Sequence, residues 1–435
     1  MKVMERMSRL GQVNRVLNFG WLNNPLTFTV SSPILTILGA VSTIVAPILL
    51  DPASFAEFAL MISIFQYVSD FDLGLGRLCD RLLSSPDTNT VAAMDMLLMA
   101  RFGVAIIVAV IAIIAGYFTH YLTTVSAFAG ISVMLSNGPI VVYRARAQIA
   151  AFTLSSIATQ FGMSLPRLIG LLVDGVRGCM ISFGIWYGLS TVVLYAPFTR
   201  IFRPPVKRTI IALFADSTPL FFLSSSWLFY LLASRWFSYL ISEPTEAGLF
   251  AFGANFVLIG IGMIGTVSQI YYPRHLILPN QRALGRQLGG LLCASTLGCL
   301  FTDLFCRFGL SRVFPHFVSA DACTAAVLFS GIPLSLNAWI IPLVIARTRR
   351  PIRTGLVIFG TSLSILYGLM SVLNTAAGIE GQAWACAPPA MILFGINLRF
   401  IVRQKLLKRS TAFWLWFGVL AAEALCAVAW HFTFH

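Results

Sequence analysis

Apolar runs of about twenty residues recur along the whole chain, each bounded by a short cluster of Lys and Arg or by a brief polar turn. VAIIVAVIAIIAGYF at 104–118, for example, holds fifteen residues without a charge between Arg101 and His120. A helix needs about twenty apolar residues to cross a bilayer core. With no water there, every backbone N–H and C=O must be satisfied within the structure itself. Candidate spans lie at 26–50, 54–72, 102–119, 122–142, 148–172, 178–198, 209–232, 247–271, 288–305, 322–345, 355–374 and 384–402, and a thirteenth at 412–432. The expected fold is all-α and polytopic, with twelve or thirteen transmembrane helices.

Composition agrees. The chain is 58% hydrophobic and 11% charged, whereas a soluble domain is about half apolar and about a quarter charged. No soluble domain is expected beside the spans.

The basic residues set an orientation. Lys/Arg clusters lie at 2–15, 77–101, 144–146, 200–208, 274–286, 347–353 and 399–409, and hold 25 of the 30 basic residues. Each interval has room for two spans. The turns between carry acids or few charges: Asp51, Asp174 with Arg177, Glu243 with Glu246, and Glu380. By the positive-inside rule the clusters are cytoplasmic, which gives a cytoplasmic N-terminus and six hairpins. The opening stretch MKVMERMSRLGQVNRVLNFGW has no short apolar core ending in a cleavage site, and reads as an amphipathic lead-in along that surface.

The net charge of +14 is split among these clusters and forms no continuous basic face, so nucleic acid is not an expected partner. Eight cysteines are scattered without a C-x-x-C pair, and five histidines fall near span ends without metal-ligand spacing. No metal, cofactor or disulfide framework is expected.

An internal repeat is visible. DPASFAEFAL at 51–60 aligns without a gap to EPTEAGLFAF at 243–252, matching Asp51 with Glu243, Pro52 with Pro244 and Phe58 with Phe250. Six spans separate the segments, as a parallel repeat of two six-span halves requires. The domains expected are an N-terminal lobe at 1–203, a C-terminal lobe at 204–405 and an extra span at 406–435.

Ionisable residues inside spans are expensive and therefore candidate functional groups. Arg167 follows Pro166 in the fifth span and reads either as a cavity cation for an anionic headgroup or as a snorkelling residue near the interface. Asp216, three residues before Pro219, is a candidate proton or cation site or a helix-start acid. Arg235 lies among Tyr230, Trp236 and other aromatics, a setting for stacking on a sugar or for an interfacial belt. Nineteen residues separate Asp216 from Arg235, roughly 28 Å of helix, so they do not form a simple pair. SDFDLGLGRLCDRLLSS at 69–85 gathers Asp70, Asp72, Arg77, Asp80 and Arg81 where the second span meets the cytoplasm. It reads as a hinge that fixes topology, with Asp70 and Asp72 lining the inner mouth of a transport path.

FAEFALMISIFQYVSDFDLGLG, continuing to Arg81, and EAGLFAFGANF at 246–256 with YYPRH at 271–275 resemble phrases of bacterial polysaccharide exporters. These are the oligosaccharide-lipid, O-antigen-type flippases of the multidrug/oligosaccharidyl-lipid/polysaccharide exporter superfamily. Ala56 stands where that family usually has Gly, and LLASRWFSYLIS carries Arg235 where it often has Asp. The resemblance implies two six-helix lobes around a central cavity in a bacterial inner membrane. It implies transport, not catalysis, of an oligosaccharide carried on undecaprenyl pyrophosphate, by alternating access, with transient contact to polysaccharide polymerase machinery. On that reading Arg167, Arg235 and Arg81, with Trp236 and Tyr230, contact substrate. Asp216 couples an ion, and Asp70 and Asp72 gate. Three rivals stay open. GLGRLCDRL at 74–82 half-fits the major facilitator signature through Gly76, Asp80 and Arg81. A glycan polymerase or lipid-linked glycosyltransferase would use Asp303, Arg307 and His316. A multidrug exporter of the same superfamily would need an acidic, aromatic cavity.

Overall fold

The computed structural model describes residues 39, 41–76, 78, 90–145, 149–162, 164–196, 207–277, 280–348 and 351–434. Among them every regular element is helical, and the chain is a polytopic membrane protein. The helices are α1 Pro52–Ser69, α2 Thr90–Phe118, α3 Tyr121–Ala145, α4 Ile149–Gly162, α5 Leu165–Tyr195, α6 Lys207–Ile241, α7 Pro244–Ile277, α8 Gln281–Phe308, α9 Asp321–Arg347, α10 Pro351–Trp384, α11 Ala387–Arg403 and α12 Arg409–Phe434. Eight helices among the described residues are long and apolar enough to cross a membrane, or nine with the bent α6. The expected span at 26–50 falls mostly outside the described residues.

Two helices reverse inside their own length. In α5, Asp174 and Gly175 leave helical geometry, and in α10, Ala377 and Gly378 do so with nearly the same angles. Gly175 has φ 54° and Gly378 φ 55°, with ψ near −138° in both. Only glycine adopts that combination without strain. The arms then lie against each other: the Ser182 hydroxyl donates to the Pro166 carbonyl at 2.7 Å, sixteen residues away in a chain that would otherwise run straight. The sequence boundaries between the fifth and sixth spans, and between the eleventh and twelfth, fall on these reversals. DGVRG at 174–178 and AGIEG at 377–381 share the glycines that make them.

Pro219 lies inside α6, and a 44° bend separates Ile211–Ser225 from Trp227–Ile241. The bend sits at the LSSSW run, where the Ser224 hydroxyl donates back to the Phe221 carbonyl at 3.2 Å. Serine hydroxyls bonded to their own helix bend it. Pro388 and Pro389 occupy the first turn of α11, where no intrahelical N–H is lost.

The chain divides into two compact units. The first gathers residues up to Ser42 and Met61–Ser225; the second gathers Thr43–Leu60 and everything from Ser226 onward. In the first, Leu75, Leu97, Val104, Met134 and Leu220 form a buried core. Arg177 lies 5.9 Å over the Tyr121 ring, so the α5 reversal and the α2–α3 turn share one end. In the second, 83% of the span containing α9 is buried, against 17% for α8 and 28% for α12. α9 is therefore the hub, and α8 and α12 present apolar faces outward. The charge pattern matches the contacts here. Gln382 bonds Ser242, joining the two acidic turns, and Gln281 bonds the Lys405 carbonyl at 2.7 Å, joining two basic ones.

The repeated segments meet in this second unit. Asp51 precedes Pro52 and Glu243 precedes Pro244, each pair opening a helix. The Asp51 carboxyl is held below its usual range, first by the Ser54 hydroxyl, as suits a helix N-cap. A side chain at Gly248 would come within 1.8 Å of the Pro52 carbonyl oxygen, and Phe55 meets Phe252 edge-on at 6.4 Å. Glycine at 248 is what lets the two helix starts touch.

Candidate functional site

The DFDLG stretch builds a tight knot in the first unit. Leu73 has φ 51° and Gly74 φ 79°, so the chain turns sharply out of α1. Asp72 closes the turn: its carboxylate accepts from the Gly74 N–H at 2.9 Å and the Gly76 N–H at 2.8 Å. The Arg101 guanidinium of α2 also donates to it, and Arg101 is only 5% exposed. Arg101 further reaches the Met134 carbonyl on α3 at 3.5 Å. It was counted in sequence as the last member of the 77–101 basic cluster, yet here it is a buried cross-brace between α2, α3 and the turn.

The same turn presses on α6. A side chain at Gly74 would meet the Ser217 carbonyl oxygen at 2.3 Å and the Phe221 nitrogen at 2.7 Å. Phe71 packs edge-on against Phe221 at 4.8 Å, and the Tyr67 and Ser225 hydroxyls share a bond of 3.1 Å. The structure thus places the Asp72 turn next to the part of α6 that carries Asp216. The Asp70 and Asp216 side chains are both exposed. Arg77, Asp80 and Arg81 lie outside the described residues.

Arg167 is 5% exposed, so it does not snorkel. Its guanidinium lies 6.0 Å over the Phe183 ring and faces Cys179 and Tyr187. Phe65 of α1 stacks on Phe183 at 4.6 Å. The Tyr187 hydroxyl donates to the Thr159 carbonyl at 2.8 Å, locking α5 to α4.

In the second unit Arg235 is 4% exposed and donates to the Asn255 side-chain carbonyl on α7. Beside it on the same helix, Tyr230 and Ser234 line a cavity of about 30 Å³ with Ala254, Val257, Ser330 and Cys386, room for about two waters. Trp236 stands apart from it, half-buried and edge-on to Phe229 at 4.8 Å. Of the expected substrate contacts here, Tyr230 reaches the cavity wall, Arg235 pairs with the helix that forms another wall, and Trp236 joins a separate aromatic pair.

Several buried polar groups lay outside the sequence reading. Asn397 donates to Asn337 at 2.9 Å, and both are at most 1% exposed. Gln382 is fully buried and donates to Asn374 at 2.7 Å and to Ser242. These amides sit in apolar spans, and that was the available signal: a neutral polar residue in a span needs an interhelical partner just as an ionisable one does. The set proposed for a glycan polymerase does not converge in burial: Asp303 is buried, while Arg307 and His316 are exposed.

No protein-family model matches the sequence, and no curated protein matches it. Solved structures do. The chain is similar to the lipid II flippase MurJ in its inward closed conformation, with a TM-score of 0.63 at 11% identity, over 94% of this chain and 98% of that one. It is similar to the eukaryotic MATE transporter AtDTX14, with a TM-score of 0.55 at 12% identity, over 97% and 99%. A third likeness is to an inward-facing multidrug resistance MATE transporter of the MOP superfamily, with a TM-score of 0.54 at 12% identity, over 86% and 94%. At such identities the likeness shows the fold alone, a polytopic helical fold shared with these transporters.

Proposed function

We propose that this chain is a flippase of the oligosaccharide-lipid type. It moves an oligosaccharide carried on undecaprenyl pyrophosphate across a bacterial inner membrane, by alternating access, for surface polysaccharide synthesis. One observation carries the reading: each unit of a fold shared with a lipid II flippase buries an arginine in its spans, Arg167 in the first and Arg235 in the second. A buried cation is expensive to keep in a membrane, and a pyrophosphate is the kind of group that rewards it. Arg81, Tyr230 and Trp236 complete the proposed substrate contacts. Asp216 is proposed for ion coupling, with Asp70 and Asp72 at the gate. The N-terminus is cytoplasmic, and the lobes divide as 1–203 and 204–405, followed by the extra span at 406–435.

The test is reconstitution. Purified protein in liposomes should move a fluorescent undecaprenyl-pyrophosphate oligosaccharide from the inner to the outer leaflet. The double variant Arg167→Gln/Arg235→Gln should lose that activity while remaining folded by circular dichroism. Equal transport by the double variant would reject the assignment of these arginines. Transport of a cationic drug in place of the lipid would favour the multidrug reading.

A further inference from the structure

In the second unit α8 and α12 begin side by side. They run parallel and close: a side chain at Gly285 would meet Thr411 at 2.9 Å, and seven residues further one at Gly418 would meet Leu292 at 2.8 Å. The turn that feeds α12 is pinned. Leu406 and Leu407 are 3% and 2% exposed, Lys405 takes a left-handed φ of 57°, and its carbonyl accepts from Gln281 at the start of α8.

This end is strongly cationic. Arg282 and Arg286 on α8, Arg403 closing α11, and Lys405, Lys408 and Arg409 at the turn into α12 are all exposed. The segments 278–290 and 398–412 contain no Asp or Glu. Three of these cations, Arg282, Lys408 and Arg409, sit at the starts of two helices, where the backbone already presents about half a positive charge each. Acids are favoured there, and neither helix has one in its first turn. A topology signal needs cations near a span end; it does not need them held against two helix N-termini on a pinned turn. Such an arrangement is unfavourable alone and favourable around an anion. Just inward, Phe413, Trp414 and Phe417 are 62%, 66% and 56% exposed on α12.

We propose that this end of the second unit is a binding site for an anionic phospholipid. Its phosphate lies among Arg282, Arg286, Lys408 and Arg409, and its acyl chains run along Phe413, Trp414 and Phe417. An anionic headgroup on an apolar chain matches both halves of the surface. The site is independent of the transported substrate and needs only that the chain lie in a membrane.

The experiment uses the full chain in detergent, titrated with dioleoyl phosphatidylglycerol or dioleoyl phosphatidylcholine and read by native mass spectrometry. Phosphatidylglycerol should bind preferentially. The variants Arg282→Gln/Arg286→Gln and Lys408→Gln/Arg409→Gln should each weaken it, by about fivefold per cation removed. Arg282→Lys/Arg286→Lys keeps the charge and should keep binding. Arg307→Gln/Arg312→Gln, which removes two exposed cations elsewhere in the unit, should change nothing. Equal binding of the two lipids, or unchanged binding by both glutamine pairs, would overturn the proposal. So would competition by glycerol phosphate as strong as that of the lipid, which would mark a free-phosphate site.

Discussion

Asp72 concentrates several contacts in one carboxylate. Its two oxygens hold two backbone N–H groups and a buried guanidinium at once. Removing one partner of a buried ion pair strands the other, at about 3–5 kcal/mol. Arg101→Met alone should therefore cost more than Arg101→Met in an Asp72→Asn background, because asparagine keeps a carbonyl for the turn without an unpaired charge. Thermal melts of the four proteins in detergent measure the coupling, and strict additivity would mean that the pair is energetically idle. Gly74→Ala faces two obstacles, a left-handed φ and the α6 backbone at 2.3 Å. It should lower stability by about 2 kcal/mol or more. The sequence drew attention to one partner of this pair and not the other. Asp72 stood out because it is charged and beside glycines. Arg101 did not, because a cation at the end of a basic cluster looks like one more loop residue until a partner 29 positions away is placed beside it.

Among the elements, span boundaries were legible because hydropathy and charge alternate at bilayer spacing. The places of the turns in α5 and α10 were legible too, but not their tightness, since each reversal is made by a single glycine. Gly175 and Gly378 share one conformation, and a β-carbon at either would meet nothing within 4 Å. An alanine there is opposed by the backbone alone, so Gly175→Ala and Gly378→Ala should destabilise by similar amounts, about 1–3 kcal/mol. Melting curves check this, and a loss at one site with none at the other would show that the two turns are not equivalent. Prolines are ambiguous in sequence for a related reason. Their effect depends on whether the lost N–H belonged to a helix interior or a first turn. Pro388 and Pro389 look identical in sequence in either case.

At the scale of the whole molecule, the fold was legible in outline and the substrate was not. Length, apolar content and alternating charge specify a chain of many apolar helices joined by alternately basic and acidic turns. They do not specify how buried polar groups pair between helices, as Arg235 and Asn255 do across α6 and α7. The side of each turn is the part that can be checked directly. From the 377–378 reversal to Lys405 the chain makes one crossing, through α11, and from Glu243 to that reversal it makes four, through α7, α8, α9 and the first arm of α10. Glu243 and Ala377 should therefore share one side and Lys405 should lie on the other. If the basic clusters face the cytoplasm, cysteines introduced at Glu243 and Ala377 should react with a membrane-impermeant maleimide added to intact cells. A cysteine at Lys405 should react only after the membrane is opened. Cys293, the exposed native thiol among the described residues, is replaced by serine in each variant. Labelling of Glu243→Cys and Lys405→Cys from the same side would break the crossing count, whereas full inversion of the pattern would keep the fold and reverse its orientation.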